Sequence, residues 1–303
     1  MYNMNRLALL AELHRRKTLH EVSRSLSFSP STVSQQLKVL EREVGVPLVE
    51  RSGRGLRFTR EGELLAVHAA ALMQQMERAE ADIAAARGEA RGTLRMATFQ
   101  TAALAVLPRA LHLLARDAPE LRVVVAHIEP AGMLDALAAR EFDLVLGEEY
   151  PGRPVGRREG IDLVHLLDDP MVLVTPPASG DAEPGSPTED WVDYVRRMPW
   201  VMEPSGNDAR EWVVAAIRSL GVEPTVQYES PDLLVQMRLV ETGHAVAILP
   251  ELLLSSERPE VRRVELPGAP SRHVFAAVRH GSQHSPAIAA VLGAFTEAVG
   301  AGA

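Results

Sequence analysis

Ser31, Ser34, Gln35 and Lys38 stand three and four apart along a run that reads as a helix, so they share one face. They offer two hydroxyls, an amide and an ammonium with no bulky apolar residue among them. Such a face hydrogen-bonds donors and acceptors like the base edges of a DNA major groove; it also suits a solvated helix in a small bundle. Arg51, Arg54 and Arg57 follow on a Gly-rich hairpin, where guanidinium groups fit phosphates or a minor groove. A third set lies farther along. Phe99-Gln100-Thr101-Ala102 and Glu203-Pro204-Ser205-Gly206-Asn207 each join a predicted strand to a predicted helix. Gly147-Glu148-Glu149-Tyr150 ends another strand with adjacent carboxylates. These groups suit a small polar ligand, the carboxylates favouring a cation or amine. They suit helix capping, loop charge or an inter-lobe salt bridge equally well.

The elements that must position the first set are legible. Leu7, Leu10 and Leu13 line one face of a helix. Thr18-Leu19-His20-Glu21 reads as a capping box opening a short second helix with Leu19, Val22 and Leu26 inward, and Ser27-Phe28 forms its turn. Ser29 caps a third helix with Pro30 at its first position, Val33, Leu37, Leu40 and Val44 inward, and Gly45 and Pro47 ending it. Two strand-like runs, Leu48–Arg51 and Leu56–Phe58, flank Ser52-Gly53-Arg54-Gly55 as a wing. From Thr59, Leu65, Ala69, Leu72, Met76, Ala79, Ile83 and Ala86 alternate spacings of four and three to about Arg87. That is a heptad seam, suited to a partner helix or to the chain's own core; its narrowness and the flanking Glu77, Arg78, Glu80 and Asp82 favour a homodimer.

Beyond Gly88–Gly92 the pattern becomes alternating strand and helix. Strands are predicted over 93–98, 122–128, 143–147, 164–167, 172–175, 200–203, 225–228, 245–249, 263–266 and 273–278. Helices are predicted over 104–115, 133–139, 209–220, 233–242 and 286–299, and Ser179–Pro187 reads as a surface loop. The order implies two α/β lobes with a ligand cleft at the strand ends.

Composition narrows the function classes. The 303 residues are 46% hydrophobic and 24% charged, and the absence of cysteine excludes disulfides, Cys-based zinc sites and thiol nucleophiles. Residues 1–60 carry 11 Lys/Arg and 5 Asp/Glu, a balance of +6, within a chain of net charge -8: a basic head on an acidic body. No apolar run reaches the roughly 18 residues of a membrane span, and the amphipathic N-terminus does not resemble a signal peptide, so a cytoplasmic protein that avoids membranes is expected. Nucleophile elbows, P-loops, metalloprotease and dinucleotide motifs are missing. His244, His273, His280 and His284 lack metal spacing, so neither an enzyme nor a metal or other cofactor is expected. A solute-binding module is the alternative from another class, but it would carry a secretion signal and lack the seam. A repressor that ignores small molecules is the alternative within regulation.

The run Ser29–Glu41, followed by Val44-Gly45-Val46-Pro47-Leu48-Val49-Glu50-Arg51 and Leu56–Gly62, resembles the LysR-type transcriptional regulators. The chain departs from the family pattern at Lys17-Thr18-Leu19, at Val22 and Ser23, and at Val49, positions concerned with packing. The resemblance implies a multidomain protein: an all-α winged helix-turn-helix N-terminal domain (1–58), a long linker helix with a hinge (59–90), and a two-lobed α/β periplasmic-binding-protein-like effector domain (91–303). Lobe I would span 91–163 and 272–303, and lobe II 164–271. It implies double-stranded DNA read by Pro30, Ser31, Ser34, Gln35, Lys38, Arg51, Arg54 and Arg57. It implies dimerisation through Leu65, Leu72, Met76 and Ile83, often as a homotetramer, and a small-molecule effector at Phe99, Gln100, Thr101, Glu148, Ser205 and Asn207. RNA polymerase would be a further partner of an activator.

Overall fold

The structure, a computed structural model, describes residues 2–300 apart from 20–21, 24–27, 53–54, 89, 131 and 178–190, and only the backbone of 51, 52 and 55. His20 and Glu21 of the capping box, Leu26 and Ser27, Gly53 and Arg54 at the hairpin tip, the Arg51 side chain and the whole Ser179–Pro187 loop therefore lie outside the described residues.

The head begins with α1 (Met4–Arg16), capped by Asn3, whose side chain accepts the Asn5 N–H. Helix α2 (Pro30–Val44) starts as its sequence requires. Ser29 Oγ accepts the Thr32 N–H at 3.1 Å, Pro30 needs no donor, and Gly45 ends the helix at φ +86°. Strands β1 (Val49–Ser52) and β2 (Gly55–Phe58) form the antiparallel wing. Leu7, Leu10, Leu13, Val33, Leu37, Leu40 and Leu48 make the head's core.

Helix α3 (Arg60–Arg87) is capped by Thr59, whose Oγ1 accepts the Gly62 N–H at 3.0 Å. Its Ala66 and Ala69 complete the head core. A Cβ at Gly62 would stand 2.0 Å from the Leu48 carbonyl oxygen, so helix and wing approach as closely as backbones allow.

Lobe I contains β3 (Gly92–Thr98), α4 (Gln100–Ala105), α5 (Leu107–Asp117), β4 (Leu121–His127), α6 (Met133–Ala138) and β5 (Leu144–Glu149). Strand β6 (Ile161–Thr175) then leaves for lobe II, which holds α7 (Trp191–Arg197), β7 (Trp200–Met202), α8 (Asp208–Ser219), β8 (Val226–Glu229), α9 (Leu233–Glu241), β9 (Ala247–Pro250), α10 (Glu251–Glu257) and β10 (Arg262–Glu265). Strand β11 (Ser271–Arg279) and α11 (Pro286–Gly300) return to lobe I. Strand β3 runs parallel to β4 and β5, while β11 lies antiparallel between β5 and β6. Both faces of this sheet are covered, so its strands read as continuous apolar runs such as Leu144-Val145-Leu146, all buried.

Several expectations differ from the structure. The predicted helix over 104–115 is two helices, α4 starting at Gln100 and α5 after Val106, because Pro108 supplies no N–H to continue the first. The strands over 164–167 and 172–175 are one strand. The intervening Asp168-Asp169-Pro170 stays paired with β11, opposite His273, Arg272 and Ser271, and the buried Asp169 carboxylate is neutralised by Arg272. Strand β6 pairs with β11 up to Pro170, with β9 from Met171 and with β10 from Val172, so the lobes exchange farther along the chain than the 163/164 division. Helices α7 and α10 were not foreseen.

Replacing Gly62 with Ala forces the long helix off the wing. It should cost about 1–3 kcal/mol, the range for overpacked contacts, read as a lower melting temperature. An unchanged melting temperature would refute the tight contact.

Candidate functional site

On α2, Pro30, Ser31, Gln35 and Lys38 are exposed and Ser34 is half-buried. The Ser31 hydroxyl lies 2.7 Å from the capping Ser29 hydroxyl. Glu41, on the same helix, accepts the N–H groups of Leu48 at 2.9 Å and Val49 at 3.2 Å, tying the wing to α2. Across the wing, Arg57 is paired with Glu50 at 2.5 Å, a partner that linear spacing does not suggest. Arg51 stands opposite Leu56 in the hairpin register.

The predicted seam on α3 divides. Leu65 and Ala69 are covered by the chain's own head, whereas Leu72, Met76 and Ile83 are 46%, 45% and 60% exposed. Leu64 and Val67, outside the seam, are exposed as well. Glu77 is not a flanking surface charge. It is buried, paired with Arg279 at 2.6 Å and Arg140 at 2.7 Å, and docks the helix on lobe I. Arg279 also donates to the carbonyls of Leu137 and Phe142 and to Asp143, so its fork is filled by lobe I. A second contact joins head to body: Arg15 meets Asp135 at 3.1 Å, and Arg158 meets the same carboxylate.

Between the lobes, one guanidinium organises the cleft. The Arg272 side chain is 1% exposed. It donates to Asp169 at 2.7 and 2.9 Å, to Thr101 Oγ1 at 2.6 Å and to Glu148, and its cation lies 5.4 Å from the Phe99 ring centroid. Burial works against this charge, but Glu148, Tyr150 and Asp169 outweigh it and hold the guanidinium ionised. Tyr150 donates to Glu148 at 3.1 Å, and its buried hydroxyl is pushed well above the usual phenol range. Gln100 bridges the lobes, donating to Asp232 at 2.7 Å and accepting the Leu233 N–H at 2.9 Å.

Two adjoining cavities of about 230 and 350 Å³ share Glu129, Pro130, Glu148 and Asn207 as walls. Phe99, Gln100, Thr101 and Arg272 line the smaller one. Asn207 caps α8 and faces both cavities, whereas Ser205 is exposed and lines neither. The adjacent carboxylates diverge as strand alternation requires: Glu148 enters the cleft, and Glu149 accepts the Val155 N–H at 3.1 Å. Sequence reading missed Glu203 as a titratable group. It lines the cleft, and burial together with the neighbouring Glu148 charge raises its carboxyl to about 7. Among the described residues, one grouping of three metal-capable side chains occurs, His165, Asp168 and His273, outside these cavities. No helix of the described residues is long and apolar enough to cross a membrane.

Two family descriptions match the chain: the bacterial regulatory helix-turn-helix protein of the lysR family over residues 4–63, and the LysR substrate binding domain over residues 87–300. Among curated proteins, it is 28% identical over 294 residues to the probable HTH-type transcriptional regulator LrrA of Synechococcus elongatus, covering 96% of this chain and 95% of that one. It is 29% identical to the HTH-type transcriptional regulator TfdS of Cupriavidus pinatubonensis, covering 82% of this chain and 83% of that one. Its fold is similar to that of a full-length OxyR variant from Pseudomonas aeruginosa, with TM-score 0.63, 19% identity, and 97% and 95% of the two chains covered. Full-length CbnR complexed with its target DNA gives TM-score 0.52 and 21% identity, with 99% of each chain covered.

Glu203 binds its proton more tightly in the folded chain, near 7, than at the ordinary 4.5. Its contribution to stability is therefore most favourable at low pH and is lost as pH rises from about 4.5 through 7. Glu203→Gln should flatten the melting-temperature profile across this window and gain on the parent above it. A parallel pair of profiles would refute the assignment.

Proposed function

The chain belongs to the LysR family of bacterial transcriptional regulators, and from that membership we propose how its parts divide the work. The exposed row of α2 reads the major groove of double-stranded DNA through Ser31, Ser34, Gln35 and Lys38, with Pro30 setting the helix start and Arg51, Arg54 and Arg57 meeting the backbone. The exposed Leu72, Met76 and Ile83 of α3, without the head-covered Leu65, pair with a second copy, placing two heads on two half-sites. A homotetramer and, at an activated promoter, RNA polymerase are the further partners proposed from family membership. The protein works in the cytoplasm and catalyses no reaction; its relatives are regulators. DNA in the CbnR complex supports the same partner here.

One observation carries the regulatory reading: strand β11 holds Arg272 in the cleft at one end and Arg279, the partner of Glu77 on the long helix, at the other. An effector that prefers one lobe arrangement shifts that strand and with it the helix that joins the heads. Phe99, Gln100, Thr101, Glu148 and Asn207, which line the smaller cavity, are the proposed effector contacts; Ser205, which lines neither cavity, is not among them. Their surroundings favour positive charge, because Glu129, Glu148, Glu203 and Asp232 face the smaller cavity against Arg272 and His127. The effector class proposed is therefore an amine or another small organic cation.

Three measurements test this reading. Gln35→Ala should weaken binding to a fragment recovered by genome-wide immunoprecipitation by about 1–3 kcal/mol and relax base preference; an intact footprint and affinity would remove the reading face. Glu77→Gln should bring the coupling between effector and DNA binding, typically about 1–3 kcal/mol, towards zero; undiminished coupling would break the proposed route. Diaminobutane, butanediol and succinate, chains of equal length, separate the charge classes in a thermal-shift titration. The diamine alone should stabilise the protein, less so in Glu203→Gln, and stabilisation by succinate would overturn the cationic assignment.

A further inference from the structure

Asp168 and Asp169 are neighbours on β6, as are Arg272 and His273 on β11, and the two pairs face each other across the strands. Alternation sends Asp169 and Arg272 inward to the buried ion pair. It sends Asp168 and His273, directly opposed in the register, outward to solvent. His165 joins them through an irregularity. Residues three apart on a regular strand point to opposite faces, so His165 should lie away from Asp168. The register passes from Val274 opposite Leu167 to Phe275 opposite His165, leaving Leu166 without a counterpart. This bulge turns His165 onto the outer face. His165 Nε2 and His273 Nδ1 each meet Asp168 Oδ1, at 2.8 and 2.5 Å, and one donor atom from each of the three residues lies within 4.8 Å of the others.

We propose that His165, Asp168 and His273 form a divalent transition-metal site that clasps β6 to β11 on the outside of the inter-lobe crossing. Two imidazoles and one carboxylate are the donor set of zinc and its neighbours Co²⁺ and Ni²⁺. Donors about 2.0–2.1 Å from a tetrahedral ion stand roughly 3.3 Å apart, so the cluster needs small side-chain adjustments. All three residues are exposed, which gives the ion an entry path and leaves its remaining positions to water. The ion would rivet the two strands on the face opposite Arg272 and Asp169, adding an input to lobe geometry that does not pass through the effector cavities.

Titration of the full-length protein, free of affinity tag and chelator, with Zn²⁺ followed by calorimetry tests this, with Co²⁺ absorption as a second readout. One ion per chain is expected, with a rise in melting temperature by mass action. Asp168→Asn and His273→Ala should each weaken uptake by about tenfold or more, as losses of metal-site groups do, while retaining the metal-free melting temperature. His165→Ala/His273→Ala should abolish uptake and the cobalt spectrum. Absence of saturable one-per-chain uptake would overturn the site, as would uptake that these substitutions leave unchanged.

Discussion

A buried guanidinium cannot stand in a protein interior without compensation, and the architecture of the body follows from how Arg272 obtains it. Its partners come from separate parts of the chain: Glu148 from the end of β5, Asp169 from the middle of β6 and Thr101 from the first turn of α4. Each partner is therefore held where the lobes meet. The same ion pair lies where β6 runs through an Asp-Asp-Pro segment paired with β11. Asp169 also accepts the Leu252 N–H at 2.8 Å, which brings lobe II to the same carboxylate. The cleft is thus organised before a ligand arrives. Glu129, Glu148, Glu203 and Asp232 line its smaller cavity together with Arg272 and His127.

The long helix is shared between jobs by its faces. Near its start, small residues allow close backbone packing on the head. At mid-length, Glu77 is sealed between two arginines of lobe I. A remaining stripe of large apolar side chains is left bare. Exposed apolar residues scattered singly mean little, but Leu72, Met76 and Ile83 recur at heptad spacing, which is how a missing helix would be accommodated.

The described parts of the head were legible from sequence because their signals are local. Ser29, Pro30, Gly45 and Thr59 act on backbone within a few residues of themselves, and apolar periodicity supplies the rest. The α/β alternation of the body was legible for the same reason. What escaped depends on partners distant in the chain. Glu77 looks like a flanking surface charge until Arg279 arrives from the far end, and Asp169 falls between two predicted strands until pairing with β11 and the Arg272 ion pair place it inside one. Glu148 and Glu149 look equivalent until pleating separates them. His273 lacks a metal-like neighbour in the linear sequence; strand pairing supplies Asp168 and a bulge supplies His165. Glu203 acquires its unusual affinity for a proton from burial, which no sequence pattern reports.

The contact at Gly62 leaves no room for a side chain between the chain entering the wing and the start of the long helix, which opposes sliding of one on the other. Under the pairing proposed for α3, the angle between two reading heads is then set by how two long helices cross. The distance between half-operators would be inscribed in Leu72, Met76 and Ile83, and the letters of each half-operator in α2. Drift in one alphabet would leave the other untouched, so a descendant of this chain can learn a new spacing while keeping its old words.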